Sequence, residues 1–296
     1  MNLSTLVSWA QDKTRFGELE GFSTFCRAYL EYIQTGLQAV IVSQKENNYC
    51  FFQYNKEGQF QVSRPINSEL FVSIDHFDAE QARFLYALQH IAEIRDEPET
   101  RNTINRFVYT CQQAIGAALD ALPASQSNTA RKLAGDLFED FIRIIFVQLG
   151  VEVTSGDVYV PIVVDDVPLF RMKYQHDLIV KHGNCVKAIG SVKTSSKDRI
   201  DKVFIDKYLY NRLTGEDTPH FAVFLNDVQR KGIHPRFSVQ TTFLIGHFKG
   251  YTVKLCPLDG VYYCDLRPIM RTDELLRQSI RTLDCLFVED LWNFLT

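Results

Sequence analysis

Two apolar runs, each carrying a charge, constrain this chain more than any other feature. Residues 174–181 read YQHDLIVK and residues 185–193 read CVKAIGSVK. Both favour extended backbone, and His182-Gly183-Asn184 between them is a loop of hairpin length. Asp177 enters the first strand. Ser191 and Lys193 stand two apart on the second and so share one face of it. Their neighbours are Leu178, Ile179 and Val180 on one strand and Ile189 and Val192 on the other. Charge in such surroundings is costly unless it is paired. Asp177 and Lys193 are therefore expected either to close a plain salt bridge at a sheet end or to serve a reaction.

The rest of the chain reads as a mixed α/β fold. Residues 22–35, 78–94 and 104–122 have helical periodicity, with Asp78 a candidate N-cap. Residues 38–43, 48–54 and 58–63 read as short strands, with Lys56-Glu57-Gly58 as a turn. Residues 122–128 (LPASQSN) are the best linker and divide the chain into 1–125 and 126–296. Beyond it, residues 130–149 form a strong helix ending at Gly150, a natural C′ residue. Residues 158–164 are strand-like and residues 197–213 helical. Residues 221–225 and 237–246 read as strands, and residues 273–295 as one or two closing helices. The order from residue 130 onward describes a mixed sheet flanked by helices.

Composition narrows the function classes. The 296 residues carry a formal charge of −4, so the chain is not a polycation that coats nucleic acid indiscriminately. From Lys187 to Arg212, however, seven basic residues stand against three acids. No apolar run approaches the roughly 18–20 residues of a membrane-spanning helix, and the N-terminus has no basic stretch of the kind that opens a secretory leader. Seven scattered cysteines without a C-x-x-C pair suit reduced thiols better than disulfides or a zinc site. No nucleotide-binding glycine motif and no H-E-x-x-H occurs.

A carboxylate on one strand and a lysine on the next can serve phosphodiester hydrolysis, which needs oxygen ligands for Mg²⁺, a polarised water and neutralised charge at phosphorus. The segment from Asp177 to Ser191-Val192-Lys193 resembles the PD-(D/E)XK restriction-endonuclease fold, in the S-x-K variant where Ser replaces the second acid. In that variant the lost carboxylate comes from the following helix. Asp206, thirteen residues after Lys193, matches the offset of the EcoRII/NgoMIV-like group, which reads CCGG or CCNGG cores. That group usually has Glu there. It also carries R-(D/E)-R just after the Lys, where this chain has Lys197-Asp198-Arg199. Arg can bond both guanine acceptors and an acid can accept from cytosine; Lys in the first place lacks the rigid fork. The alternative for this turn is ordinary surface charge with Ser196 as N-cap. On the upstream helix, Glu139 is the expected helper at the metal, with Asp136 second. His176 stands where the family has Pro. The resemblance spans roughly residues 130–225.

The resemblance implies a restriction-endonuclease-like core (126–296) behind an N-terminal α+β extension (1–125) that clamps DNA, dimerises or binds an effector. It implies a type II restriction endonuclease that cuts double-stranded DNA with Mg²⁺ at a short palindromic G·C-containing site, leaving 5′-phosphate ends. Asp177, Asp206 and Glu139 would hold the metal, Lys193 would orient the water, and Ser191 would stand in for the acid. Lys197, Asp198 and Arg199 would contact DNA. A homodimer, a cognate DNA methyltransferase acting on the same site, and the cytoplasm of a prokaryotic cell complete the expectation. The alternatives are a structure-specific repair or recombination nuclease and a non-catalytic DNA-binding protein of the same fold.

Overall fold

The computed structural model describes residues 1–56, 59–197 and 199–296. The expected turn at 56–58 lies partly, and Asp198 wholly, outside the described residues. The strands are β1 (Ala39–Val42), β2 (Tyr49–Lys56), β3 (Gln59–Val62), β4 (Ile66–Asn67), β5 (Glu152–Val164), β6 (Val167–His182), β7 (Cys185–Ser195), β8 (His220–Asn226), β9 (Val228–Ile233), β10 (Arg236–Thr241), β11 (Gly260–Tyr263) and β12 (Ile280–Thr282). The principal helices are α1 (Leu3–Gln11), α2 (Leu19–Gly36), α3 (Ile74–Gln89), α4 (Pro98–Leu119), α5 (Ser127–Gln148), α6 (Ile200–Thr214) and α7 (Ile245–Lys254).

A six-stranded sheet in the order β12-β11-β8-β7-β6-β5 organises the second half. β12, β11, β8 and β7 run parallel, and β6 and β5 are antiparallel to their neighbours. All seven residues of β8 are buried, as a central parallel strand covered on both faces must be. α5 covers one face with a stripe of Ala134, Leu137, Phe138, Phe141, Ile142 and Ile145 at helical spacing. Phe146 of α5 stacks on Phe221 of β8 at 6.1 Å. α6 and α7 cover the other face through Val203, Phe204 and Phe248 against Ala222 and Phe224. The mixed sheet flanked by helices is the architecture expected.

A smaller sheet, with β1 on one side of β2 and β3 and β4 on the other, lies in the first half. The main apolar cluster does not stop at the linker: it includes Leu3, Phe25 and Phe107 together with Phe138, Val192 and Leu291. Several boundaries differ from the periodicity reading. α3 begins at Ile74 behind Ser73, so Asp78 is not its cap but pairs with Arg27 from the second turn. The helix is turned so that Phe77 and Phe84 meet Phe107, leaving Leu85 exposed. β10 stops at Thr241, because Thr242 donates its N–H and its hydroxyl to the Asp227 carbonyl, and helix follows from Ile245. The closing segment is interrupted by β12, whose Ile280 pairs beside Val261 at the sheet edge. Gly150, at φ +75°, is the expected residue just past the end of α5.

Candidate active site

β6 and β7 form the expected hairpin, with Leu178 opposite Gly190 and Ile179 opposite Ile189. Gly190 is required there, since a Cβ would meet the Phe221 ring at 2.5 Å. On its other edge β6 carries an irregularity at the decisive position. Ile179 pairs with Thr154 and His176 with Gly156, so Asp177 and Leu178 both oppose the single residue Ser155. This extra residue is a β-bulge, a device that re-aims a side chain. It puts Asp177 out of step with the simple alternation that its place in the strand suggests.

Asp177 Oδ2 accepts the Val192 backbone N–H at 2.9 Å and the Lys193 Nζ at 2.5 Å. Lys193 Nζ also donates to Glu139 Oε1, from α5, at 2.9 Å. Three side chains from two strands and one helix thus converge on one nitrogen, each between a fifth and a third exposed. Burial works against the Lys193 ammonium, but the charges of Asp177 and Glu139 outweigh it and hold Lys193 above the usual lysine range. Burial, with the charge of Asp177 adding to it, lifts the Glu139 carboxyl above the ordinary carboxylate range, although Lys193 opposes this. Two carboxylates around one ammonium leave surplus negative charge at a partly open site. The other acids of α5 are engaged elsewhere: Asp136 pairs with Lys13 and Asp140 with Arg143.

The remaining expected residues are more scattered. Ser191 lies next along β7, half-buried, opposite Ala222. Asp206 pairs with Lys202 one turn earlier on α6, and His176 lies within electrostatic reach of both Asp206 and Asp177. The expected three-acid metal set is therefore not gathered: among the described residues, no group of three or more His, Cys, Asp or Glu side chains is placed to hold a metal ion. The cause is the i, i+4 ion pair, which keeps the Asp206 carboxylate on its own helix. α6 starts at Ile200 with Arg199 at its cap position, while Ser196 is buried and does not cap it. Arg199 is exposed, and Lys197 Nζ donates to Gln229 Oε1 of β9 at 3.2 Å.

The donor set still fits a hard divalent cation. Mg²⁺ keeps several waters and takes one or two protein carboxylates plus phosphate oxygens, and Asp177 and Glu139 are two such carboxylates. His176 is buried against Tyr210 and His220 at ring distances of 5.5 and 6.3 Å, and burial lowers its pKa. Sequence reasoning missed a second polar cluster at the ends of β8 and β11. There Arg267 Nη2 bonds Glu46 at 3.0 Å, its guanidinium lies over the Tyr49 ring, and the buried Asp227 is 4.0 Å from its Nε. Asp265 accepts from Tyr49 and Asn67 beside it.

Among solved structures, the type IIP restriction endonuclease Kpn2I superimposes with a TM-score of 0.71, covering 99% of this chain and 97% of that one at 16% sequence identity. The fold is the restriction-endonuclease fold. Within it, the Asp177–Lys193–Glu139 cluster gathers side chains from the bulged stretch of β6, from β7 and from α5. The restriction endonuclease PspGI in complex with substrate DNA matches at a TM-score of 0.38, covering 73% of this chain and 92% of that one at 12% identity. No protein-family model and no curated protein sequence matches the chain. Among the described residues, no helix is long and apolar enough to cross a membrane.

Proposed function

We propose that this protein is a type II restriction endonuclease that hydrolyses double-stranded DNA with Mg²⁺ at a short palindromic, G·C-containing site of the CCGG or CCNGG kind. The observation that carries the reading is the bridging of Asp177 and Glu139 by Lys193 in a chain of restriction-endonuclease fold. Asp177 and Glu139 would hold the cation, which neutralises charge on the scissile phosphate. Lys193, kept protonated by its two carboxylates, acts as an ammonium and not as a base: it orients the attacking water and stabilises negative charge building at phosphorus. Water attacks phosphorus in line, the bond to the 3′ oxygen breaks, and a 5′-phosphate and a 3′-hydroxyl remain. Ser191 takes the place of an acid without binding metal. Asp206 adds negative charge near His176, and becomes a third ligand only by leaving Lys202.

Lys197, Asp198 and Arg199 are proposed to contact DNA, with Arg199 reading guanine through O6 and N7. Residues 126–296 form the nuclease core in this reading, and residues 1–125 support it. Cutting both strands of a two-fold symmetric site calls for a homodimer. A methyltransferase acting on the same site would protect the DNA of the prokaryotic cell whose cytoplasm holds the enzyme. The test is plasmid digestion with Mg²⁺ followed by sequencing of the fragment ends. Discrete fragments with 5′-phosphates at a palindromic G·C-containing site are expected, and none in the presence of a chelator. Cleavage confined to branched or damaged DNA, or cleavage without site preference, would overturn the reading.

A further inference from the structure

β9 and β10 form a separate two-stranded ribbon that leaves the sheet at the end of β8. Its two faces differ sharply. Arg230 opposes Val239 and Gly232 opposes Phe237; together with Val228 this face turns toward Tyr49 and Phe51 of β2. Arg230 is itself held there, donating to the Ser63 carbonyl at 3.2 Å with its guanidinium over the Phe237 ring. The opposite face pairs Gln229 with Gln240, Lys231 with Ser238, and Ile233 with Arg236. Lys231, Ile233 and Arg236 are exposed, Ile233 to 82%. The ribbon, residues 228–241, contains no Asp or Glu.

The ribbon is fixed relative to the candidate active site. Gln229 accepts from Lys197, four residues past Lys193. At the ribbon's base, Ser195 Oγ and Thr242 Oγ1 are 3.5 Å apart. A twisted two-stranded ribbon fits the major groove, where Gln bonds adenine N6 and N7 together and an aliphatic side chain meets the thymine methyl. From Gln229 to Ile233 the face spans about 13 Å, or roughly four base-pair steps. The bond from Lys197 commits one lone pair of the Gln229 oxygen and so fixes which way its amide points. The other lone pair and the amide N–H₂ stay available for adenine. Lys197 thereby becomes a positioning residue for Gln229, a different task from reading a base itself.

We infer that the outer face of the β9–β10 ribbon enters the major groove of duplex DNA, where Gln229 and Gln240 read an A·T pair flanking the G·C core, with Lys231 and Arg236 on phosphates. This rests on the restriction-endonuclease reading for the nature of the ligand, but its test is binding and not cleavage. Duplexes with randomised positions around the selected core are bound with Ca²⁺ in place of Mg²⁺, recovered and sequenced for the wild type, Gln229→Ala, Gln229→Glu and Gln240→Ala. Thermal unfolding checks that each variant is folded. The wild type is expected to select A·T at a flanking position. Either alanine variant should lose that selection by roughly 5- to 150-fold, the worth of one bidentate pair. Gln229→Glu should turn the preference toward cytosine, whose N4 amine donates. Lack of flanking selection in the wild type, or its retention in both alanine variants, overturns the ribbon's role even if cleavage is normal. Selection with no cleavage in Mg²⁺ leaves the ribbon standing and removes the nuclease reading. Absence of duplex binding removes both.

Discussion

Replacing Lys193 with methionine removes the ammonium while keeping most of its apolar stem, and the structure says what the two carboxylates should then feel. Asp177 Oδ2 and Glu139 Oε1 touch the same nitrogen, at 2.5 and 2.9 Å, so they are at most about 5.4 Å apart. Their repulsion is already felt in the wild type; what the substitution removes is the attraction of an ammonium 2.9 Å from Glu139, about 6 kcal/mol at an effective dielectric of ~20. Both side chains are partly exposed, and solvent screening leaves about half of that. The Glu139 carboxyl, already raised by burial and by Asp177, should therefore climb further in Lys193→Met. Carboxyl-carbon NMR titration of the metal-free protein measures it directly. A Glu139 that stays put or falls would refute the argument, because it would mean Lys193 is not the group neutralising the pair. DNA cleavage should drop by about 10²- to 10⁴-fold while Mg²⁺ binding to the two carboxylates persists. The sign in stability follows from the raised Lys193. Its contribution is fully present below the usual lysine range and is lost as pH rises through the higher folded value. The stability gap between wild type and Lys193→Met should accordingly narrow only in strongly alkaline solution.

Two other substitutions probe the same geometry and its neighbour. Glu139→Gln should cost at least about 100-fold in cleavage, whereas Asp206→Asn should cost less than about 10-fold, since Asp206 is paired with Lys202 and not with Lys193; rates across a Mg²⁺ series decide, and an equal loss in both would place Asp206 at the metal. Asp227 is pushed up to about 7, chiefly by burial, with Asp265 and Glu46 adding and Arg267 opposing. A carboxyl raised in the folded state favours folding at low pH and loses that advantage as pH climbs from about 4 to about 7. Denaturant unfolding of the wild type should show that decline, up to about 4 kcal/mol, and Asp227→Asn should flatten it; parallel profiles would show that Asp227 is not the titrating group.

What the sequence made legible was local. The α5 stripe and the β6–β7 hairpin depend on spacing within one segment, and Asp177, Lys193 and Glu139 follow once those two elements pack together. The bulge at Asp177 was not legible, because it exists only in the register between β6 and β5. Asp206 stands apart from the Asp177–Lys193–Glu139 cluster for a related reason. Its offset from Lys193 was counted along the chain, but α6 begins at Ile200 and not at residue 197. At 1.5 Å per residue this sets Asp206 about 9 Å along the helix instead of about 14 Å. There Lys202, one turn back, captures its carboxylate. The Glu46–Asp227–Arg267 cluster joins three distant segments, so no periodicity could announce it.

The extension and the core are coupled more tightly than a linker at 122–128 suggests. α4 is buried almost without interruption from Thr103 to Leu119, which a helix at a domain surface would not be. It packs against α2 and α3 on the extension side and against α5 on the other, where Gln112 Nε2 bonds the Ala134 carbonyl at 2.7 Å. α5 is the helix that carries Glu139. The extension also lends β2, through Tyr49 and Phe51, as the platform beneath the β9–β10 ribbon. The first half of the chain thus holds in place both the carboxylate that meets Lys193 and the surface that would meet the DNA flank. Loosening α4 should disturb both together, whereas a change on the ribbon's outer face should disturb only the second.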